Sequence, residues 1–213
     1  MDKESKAFLI LLILVLLNIN VSNINIVNKI MEQENLEKIE AERYTERVTP
    51  IINTQIQYIL MSDPEASNVI LLSYHNSNHS SQGFSYKYIT YLTEKVRDVE
   101  DMYGEEFKEL SYVSYGEEFS KIHNSKYLIT NDILTLKESF PKLYRKIKLC
   151  NASAVAFYPI EGVAEPVGMI VVLYKSKPTY NLEYYMKVFS PRIQRLAILL
   201  DYNQFKKQMK DAG

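Results

Sequence analysis

Three histidines, one cysteine and several neighbouring carboxylates are the side chains here whose types bind metals or move protons. His75 and His79 stand four apart, a spacing that holds a metal well when a helix puts both imidazoles on one face. Here the pair falls in HNSNHSSQG, a loop rich in Ser and Asn where that geometry is lost, and His123 and Asp132 lie elsewhere in the chain. The expectation is therefore a structural or solvated role for these histidines and no metal. Glu105-Glu106 and Glu117-Glu118 are adjacent pairs in segments that read as acidic loops. With nothing apolar around them to raise a pKa, they do not predict general acid–base chemistry. Cys150 is the single cysteine, which excludes an intrachain disulfide and any multi-cysteine metal site. Its place between an apolar helix end and a strand predicts a buried free thiol. No G-x-S-x-G, P-loop, H-E-x-x-H or paired-cysteine motif occurs. The chain is expected not to be an enzyme and to need no cofactor.

Composition narrows the partners. A formal net charge of −1 and a pI near 6.3 offer no broad basic footprint, so nucleic acid is not an expected partner. The 17 tyrosines suit an interface, but most alternate along strands or recur at helical spacing, which amphipathic packing at the core edge also explains. In Tyr74-His75-Asn76, directly after an apolar run, the Asn76 amide is suited to closing a strand–loop junction by bonding to backbone groups.

The elements that must position these residues begin with an apolar run. Residues Ala7–Val27 carry no charge and would make a helix of about 30 Å, enough for a hydrocarbon core. Asn18, Asn20, Asn23 and Asn25 weaken its second half; Asn18 and Asn20 suit contacts between neighbouring membrane helices. A cleaved secretory signal would want small residues before the cut, and none form an A-x-A pattern here. The expectation is an uncleaved anchor at 7–27 after a six-residue tail, 1–6. Lys3 and Lys6 favour an inside N-terminus, although the count of Lys and Arg on the far side does not settle orientation. On this reading the rest of the chain faces a periplasm or extracellular space across an inner membrane.

Residues 28–49 are rich in helix formers, with Glu34→Lys38 as an i,i+4 pair and a thin apolar stripe through Ile30, Leu36 and Ile39. They predict a helical stalk. Pro50 bends or restarts the helix, and Ile51, Ile52, Ile56, Ile59 and Leu60 supply a face to dock on a domain spanning 50–202. Strands are predicted at Asn68–Tyr74, Phe84–Val96 and Lys126–Ile133, with a helix over Leu134–Leu149. Arg97–Asn124 is acidic and tyrosine-rich and reads as short helices and loops. Ala154–Ile160 and Val167–Tyr174 form a hairpin. Asn181 caps a terminal helix carrying Tyr185, Phe189, Ile193, Leu196 and Leu200, which Pro191 kinks. A polar tail, 203–213, follows. Hairpin-linked strands with packed helices make an α+β domain with an antiparallel sheet.

That order of elements resembles the GAF/PAS-like superfamily. Tyr74-His75-Asn76, Gly83-Phe84, Thr93-Glu94 and Pro166-Val167-Gly168 look like motifs of membrane-anchored phage proteins of this fold, over roughly residues 50–202. The resemblance implies that the loop after Tyr74 lines a sheet-face pocket, with Tyr74, His75, Asn76 and Phe84 contacting a ligand or partner. The whole layout is also similar to the holins of T-even phages, which join one membrane helix to an outer α/β domain. It departs from them in the six residues before Ala7, where those holins carry a longer segment. Two functions follow as expectations. One is a holin-like protein that self-associates in the bilayer and whose outer domain receives an antiholin-like partner. The other is a membrane-anchored GAF/PAS-like ligand-binding or sensory module. A plain tether, dimeric through the 28–49 stalk, is a third.

Overall fold

In the computed structural model, the described residues are 32, 35, 36, 39, 43–75, 88–108, 110–163, 165–179 and 182–201. The anchor at 7–27, with Asn18 and Asn20, lies outside them, as does the polar tail. Among the described residues no helix is long and apolar enough to cross a membrane. The chain divides into two compact units, 1–49 and 50–213. In the first, residues 43–49 are helical.

The second unit opens with helical residues 50–62, called α1. Ile52, Ile56, Ile59 and Leu60 are buried along one side, while Ile51, Tyr58 and Met61 are exposed. The strands follow as β1 (Asn68–His75), β2 (Tyr88–Val96), β3 (Leu110–Ser111), β4 (Leu128–Thr130), β5 (Ala154–Glu161) and β6 (Pro166–Tyr174). They form one six-stranded sheet in the order β3-β2-β1-β6-β5-β4, with every neighbouring pair antiparallel. The apolar runs NVILLSY, AVAFYPI and VGMIVVLY become the central strands because both faces of the sheet are covered there.

Alternation sorts those runs into two layers. Ile70, Leu72, Tyr74, Val155, Phe157, Met169, Val171 and Leu173 share a core with α2 (Tyr112–Asn124), α3 (Leu136–Ser139) and α4 (Pro141–Leu149), through Phe119, Ile122, Leu136, Leu143 and Ile147. On the opposite face Tyr158 meets Phe189 of α5 (Leu182–Leu200) edge to face, with ring centroids 5.6 Å apart. The Tyr174 hydroxyl on that face donates to Asp63 at 2.7 Å, just past α1. Each large apolar side chain buried this way contributes about 1.5–3 kcal/mol.

Three expectations change in detail. The helix expected over Leu134–Leu149 is divided: a 3-10 turn at Ile133–Thr135 leads into α3, and α4 starts afresh at Pro141. Phe140 between them has φ −137° and ψ 57°, because the ring of a following proline disfavours helical backbone in the residue before it. The strand expected at Lys126–Ile133 shrinks to three residues, since Asp132 caps the 3-10 turn by accepting from the Leu134 N–H at 2.9 Å. The irregular middle contains the 13-residue α2, and both carboxylate pairs sit on helical turns rather than in loops. The second strand is described from Tyr88 onward, so Phe84 lies outside the described residues, as do Asn76, His79 and Asn181. α5 is helical from Leu182 to Leu200 with Pro191 inside it.

Candidate functional site

Tyr74 is the last inward-facing residue of β1 and is 8% exposed. Phe119, Ile122 and His123 fall on the stripe of α2 that faces the sheet, since residues three and four apart share a helix face. Tyr74 therefore lies against Phe119, with ring centroids 6.2 Å apart, and against His123 at 5.5 Å, both close to edge-on. The Tyr74 hydroxyl is 2.8 Å from Nε2 of His123. The other ring nitrogen, Nδ1, is 2.7 Å from Oε1 of Glu161 at the end of β5. A hydroxyl, an imidazole and a carboxylate thus lie in one hydrogen-bonded row across the ends of β1, α2 and β5.

Local sequence fixes each member. His123 occupies the last turn of α2. The helix is closed just beyond it: Lys126 takes φ 66° and donates its N–H to the His123 carbonyl at 3.0 Å. Glu161 sits where the β5–β6 register shifts. Gly162 next to it donates to the Glu165 carbonyl at 2.9 Å, and a Cβ there would come within 2.7 Å of that oxygen. Glycine makes the tight turn possible and leaves Glu161 at its rim. The His123 side chain is 13% exposed and that of Glu161 57% exposed, so the row runs from the core edge to solvent.

Other polar groups on this face have partners outside the row. Glu118, 5% exposed, accepts from the N–H groups of Lys142 (3.0 Å) and Leu143 (2.8 Å) and so caps α4 from another helix. Its neighbour Glu117 faces solvent and pairs with Lys121 at 2.8 Å, which lowers its pKa. Glu105 pairs with Lys108 at 3.3 Å and Glu106 with Lys146 at 3.6 Å. At the far end of the face Glu94, 6% exposed, accepts from Asn68 Nδ2 at 2.8 Å and from the backbone of Tyr103 and Gly104. Cys150 is buried and free, its Sγ 3.3 Å from the Lys146 carbonyl. Burial, with Glu106 and Glu94 nearby, pushes the thiol up to about 12. Among the described residues no group of three His, Cys, Asp or Glu side chains is placed to hold a metal.

Of the residues singled out from sequence, Tyr74 lies in the row and His75 follows it as the last residue of β1, opposite Tyr88. Asn76 and Phe84 lie outside the described residues. His123 and Glu161 were not assigned to Tyr74 from sequence. The signal for His123 was its position four after Phe119, legible once 112–124 is known to be a helix. A shallow depression of about 380 Å³ lies on the opposite side, lined by Asn53, Thr54, Gln57, Tyr58 and Lys95. The Arg192 guanidinium stacks 4.7 Å from the Tyr58 ring beside it.

A central antiparallel sheet with α1 and α5 on one face and α2–α4 on the other defines a GAF-like α+β fold. Solved structures bear this out. The GAF domain of Thermosynechococcus elongatus PixJ, in its blue-light absorbing form, is 14% identical with a TM-score of 0.59, covering 79% of this chain and 94% of that one. The photoproduct state of a GAF domain from Synechocystis is 11% identical, with a TM-score of 0.55 and coverage of 76% and 98%. A type II free methionine-R-sulfoxide reductase from Thermoplasma acidophilum is 12% identical, with a TM-score of 0.52 and coverage of 74% and 94%. Identities this low carry likeness of fold alone. No family model matches the chain, and no curated protein does.

Proposed function

We propose that the chain is a GAF-like sensory or binding module, held at a membrane by Ala7–Val27 and without catalytic activity of its own. The likeness of 76–79% of the chain to GAF domains, one in a photoproduct state and one in a blue-light absorbing form, carries this reading. Its contact site is the end of the sheet at Tyr74. There the polar side chains bond to one another and reach solvent, whereas Glu94 and Glu118 are spent on backbone N–H groups. The lone Cys150 fits a non-enzymatic role: a single buried thiol has no intrachain partner for disulfide exchange, and its raised pKa keeps it protonated near neutrality.

A thermal-shift screen of the full-length chain in detergent, against a metabolite library, tests the reading. A compound that raises the melting temperature and loses its effect in Tyr74→Phe supports it. A library without any stabilising compound, together with no protein captured by the chain at native membrane density, sinks it. Carbonate extraction tests the anchor, which requires the chain to stay in the pellet. The holin-like reading rests on Ala7–Val27 and its asparagines, and the solved structures add nothing to it. Induced expression in a bacterium with an intact membrane potential and continued growth would remove it.

A further inference from the structure

The row Tyr74–His123–Glu161 sets an imidazole, a ring that can carry one hydrogen or two, between a group that only accepts and a group that both donates and accepts. A carboxylate offers no proton, so with the Glu161 oxygen 2.7 Å from Nδ1 the neutral ring carries its hydrogen on Nδ1. Nε2 is then a lone pair, and the Tyr74 hydroxyl 2.8 Å away donates to it. When the ring takes up a proton, Nε2 becomes a donor. Tyr74 must then accept from it and turn its own O–H elsewhere.

We propose that Tyr74, His123 and Glu161 form a proton relay in which protonation of His123 reverses the Tyr74 hydrogen bond and so re-aims its hydroxyl hydrogen at the end of β1. This rests on the reading of the Tyr74 end as the contact site, and gives that site a pH input. A ligand or partner there would meet a Tyr74 hydroxyl whose O–H is engaged by His123 at higher pH and redirected at lower pH. The two hydrogen bonds of the row persist in either state; only their donor and acceptor roles change.

Among the described residues, the charged and titratable groups around the ring leave this exchange to the row itself. From β1 the ring is met by Tyr74 and from β5 by Glu161. On α2 itself, Glu117 and Lys121 pair with each other on the solvent side, and Glu118 caps α4. On α4, Lys142 reaches the Ser114 carbonyl and Lys146 reaches Glu106. The two residues of β3, Leu110 and Ser111, bring no titratable group.

The test is a pH titration of the full-length chain in detergent micelles by NMR, with 15N labels on histidine rings and 13Cζ labels on tyrosine. The expected result is a Tyr74 Cζ shift that moves in step with the His123 ring nitrogens, and a neutral ring with its hydrogen on Nδ1. In Glu161→Ala the neutral ring should distribute between both tautomers, and in His123→Gln the Tyr74 step should vanish. A Tyr74 signal that stays flat while His123 titrates overturns the proposal, as does a neutral ring protonated on Nε2. The wild-type titration suffices if a variant fails to fold. A relay that titrates as described, beside an empty ligand screen and no captured protein, would sink the contact-site reading and leave the proton coupling standing.

Discussion

The two ends of the helix-covered sheet face each hold a glutamate, and they use it in opposite ways. Glu94 is buried and takes hydrogen bonds from Asn68 and from the N–H groups of Tyr103 and Gly104. The two backbone donors are fixed by the chain's own path, so the carboxylate staples the turn Gly104–Phe107 to the sheet. Glu161 is half exposed and takes one bond, from an imidazole. Its partner is a side chain, not backbone. Where a carboxylate is saturated by backbone donors, the structure is fixed; where it meets only side chains, the same chemistry stays adjustable. The Glu94 end is held by the backbone and the Tyr74 end by side chains.

Breaking the fixed end should have the largest effect. Glu94→Ala strands two backbone N–H groups and leaves the Asn68 amide with the Asp101 carbonyl as its acceptor, and is expected to cost about 3 kcal/mol, read as a lower urea midpoint with unchanged slope. A loss below about 1 kcal/mol would erase the contrast between the ends. Gly168→Ala comes next. A Cβ there would meet the Leu72 carbonyl oxygen at 2.4 Å between two central strands, and overpacking of this kind should cost about 2 kcal/mol in the same assay.

Cys150 sharpens the comparison by pH, since Glu94 and Glu106 help hold its thiol protonated. The thiol ionises near 9.0 when unfolded and near 12 when folded, so above pH 9 the unfolded state binds fewer protons. Stability from this group is complete below that pH and is lost as pH rises toward 12. The difference in stability between wild type and Cys150→Ala should therefore shrink across that window; a constant difference would show the thiol to be unburied. At the adjustable end, Tyr74→Phe removes one hydrogen bond to a partly exposed ring and should cost about 1 kcal/mol. Smallest of all, Glu117→Gln on the solvent face of α2 should leave the urea midpoint where it was, because exposed ion pairs add little.

The sheet was legible in sequence wherever a strand is buried on both sides. Asn68–Tyr74 and the hairpin Ala154–Tyr174 stand out because their apolar runs are short and bounded by turn residues. The middle was opaque for a physical reason. In Tyr112–Asn124 the buried stripe of α2 includes a tyrosine, a glutamate and a histidine beside Phe119 and Ile122, and the helix lacks a side-chain N-cap, so the periodicity is diluted by polar residues that find partners only in the fold. The same dilution hid the site. Tyr74 was visible at a strand end, but His123 and Glu161 are 49 and 38 residues from their partners in the row, and only the antiparallel order β1-β6-β5 brings them together. Leu134–Leu149 misled because its apolar spacing continues across Phe140, where Pro141 forbids the helix from doing the same.

Arg97 has a mechanical meaning. It follows β2, and its guanidinium donates to the carbonyls of Leu60, Asp63 and Ala66, the end of α1 and the link that leads into β1. Asp63 in turn holds Tyr174 of β6. A link clasped at three oxygens behaves as a weld and not as a hinge. Torque applied along α1 would pass into the middle strands of the sheet, and the corner between helix and sheet would turn with them as one rigid piece.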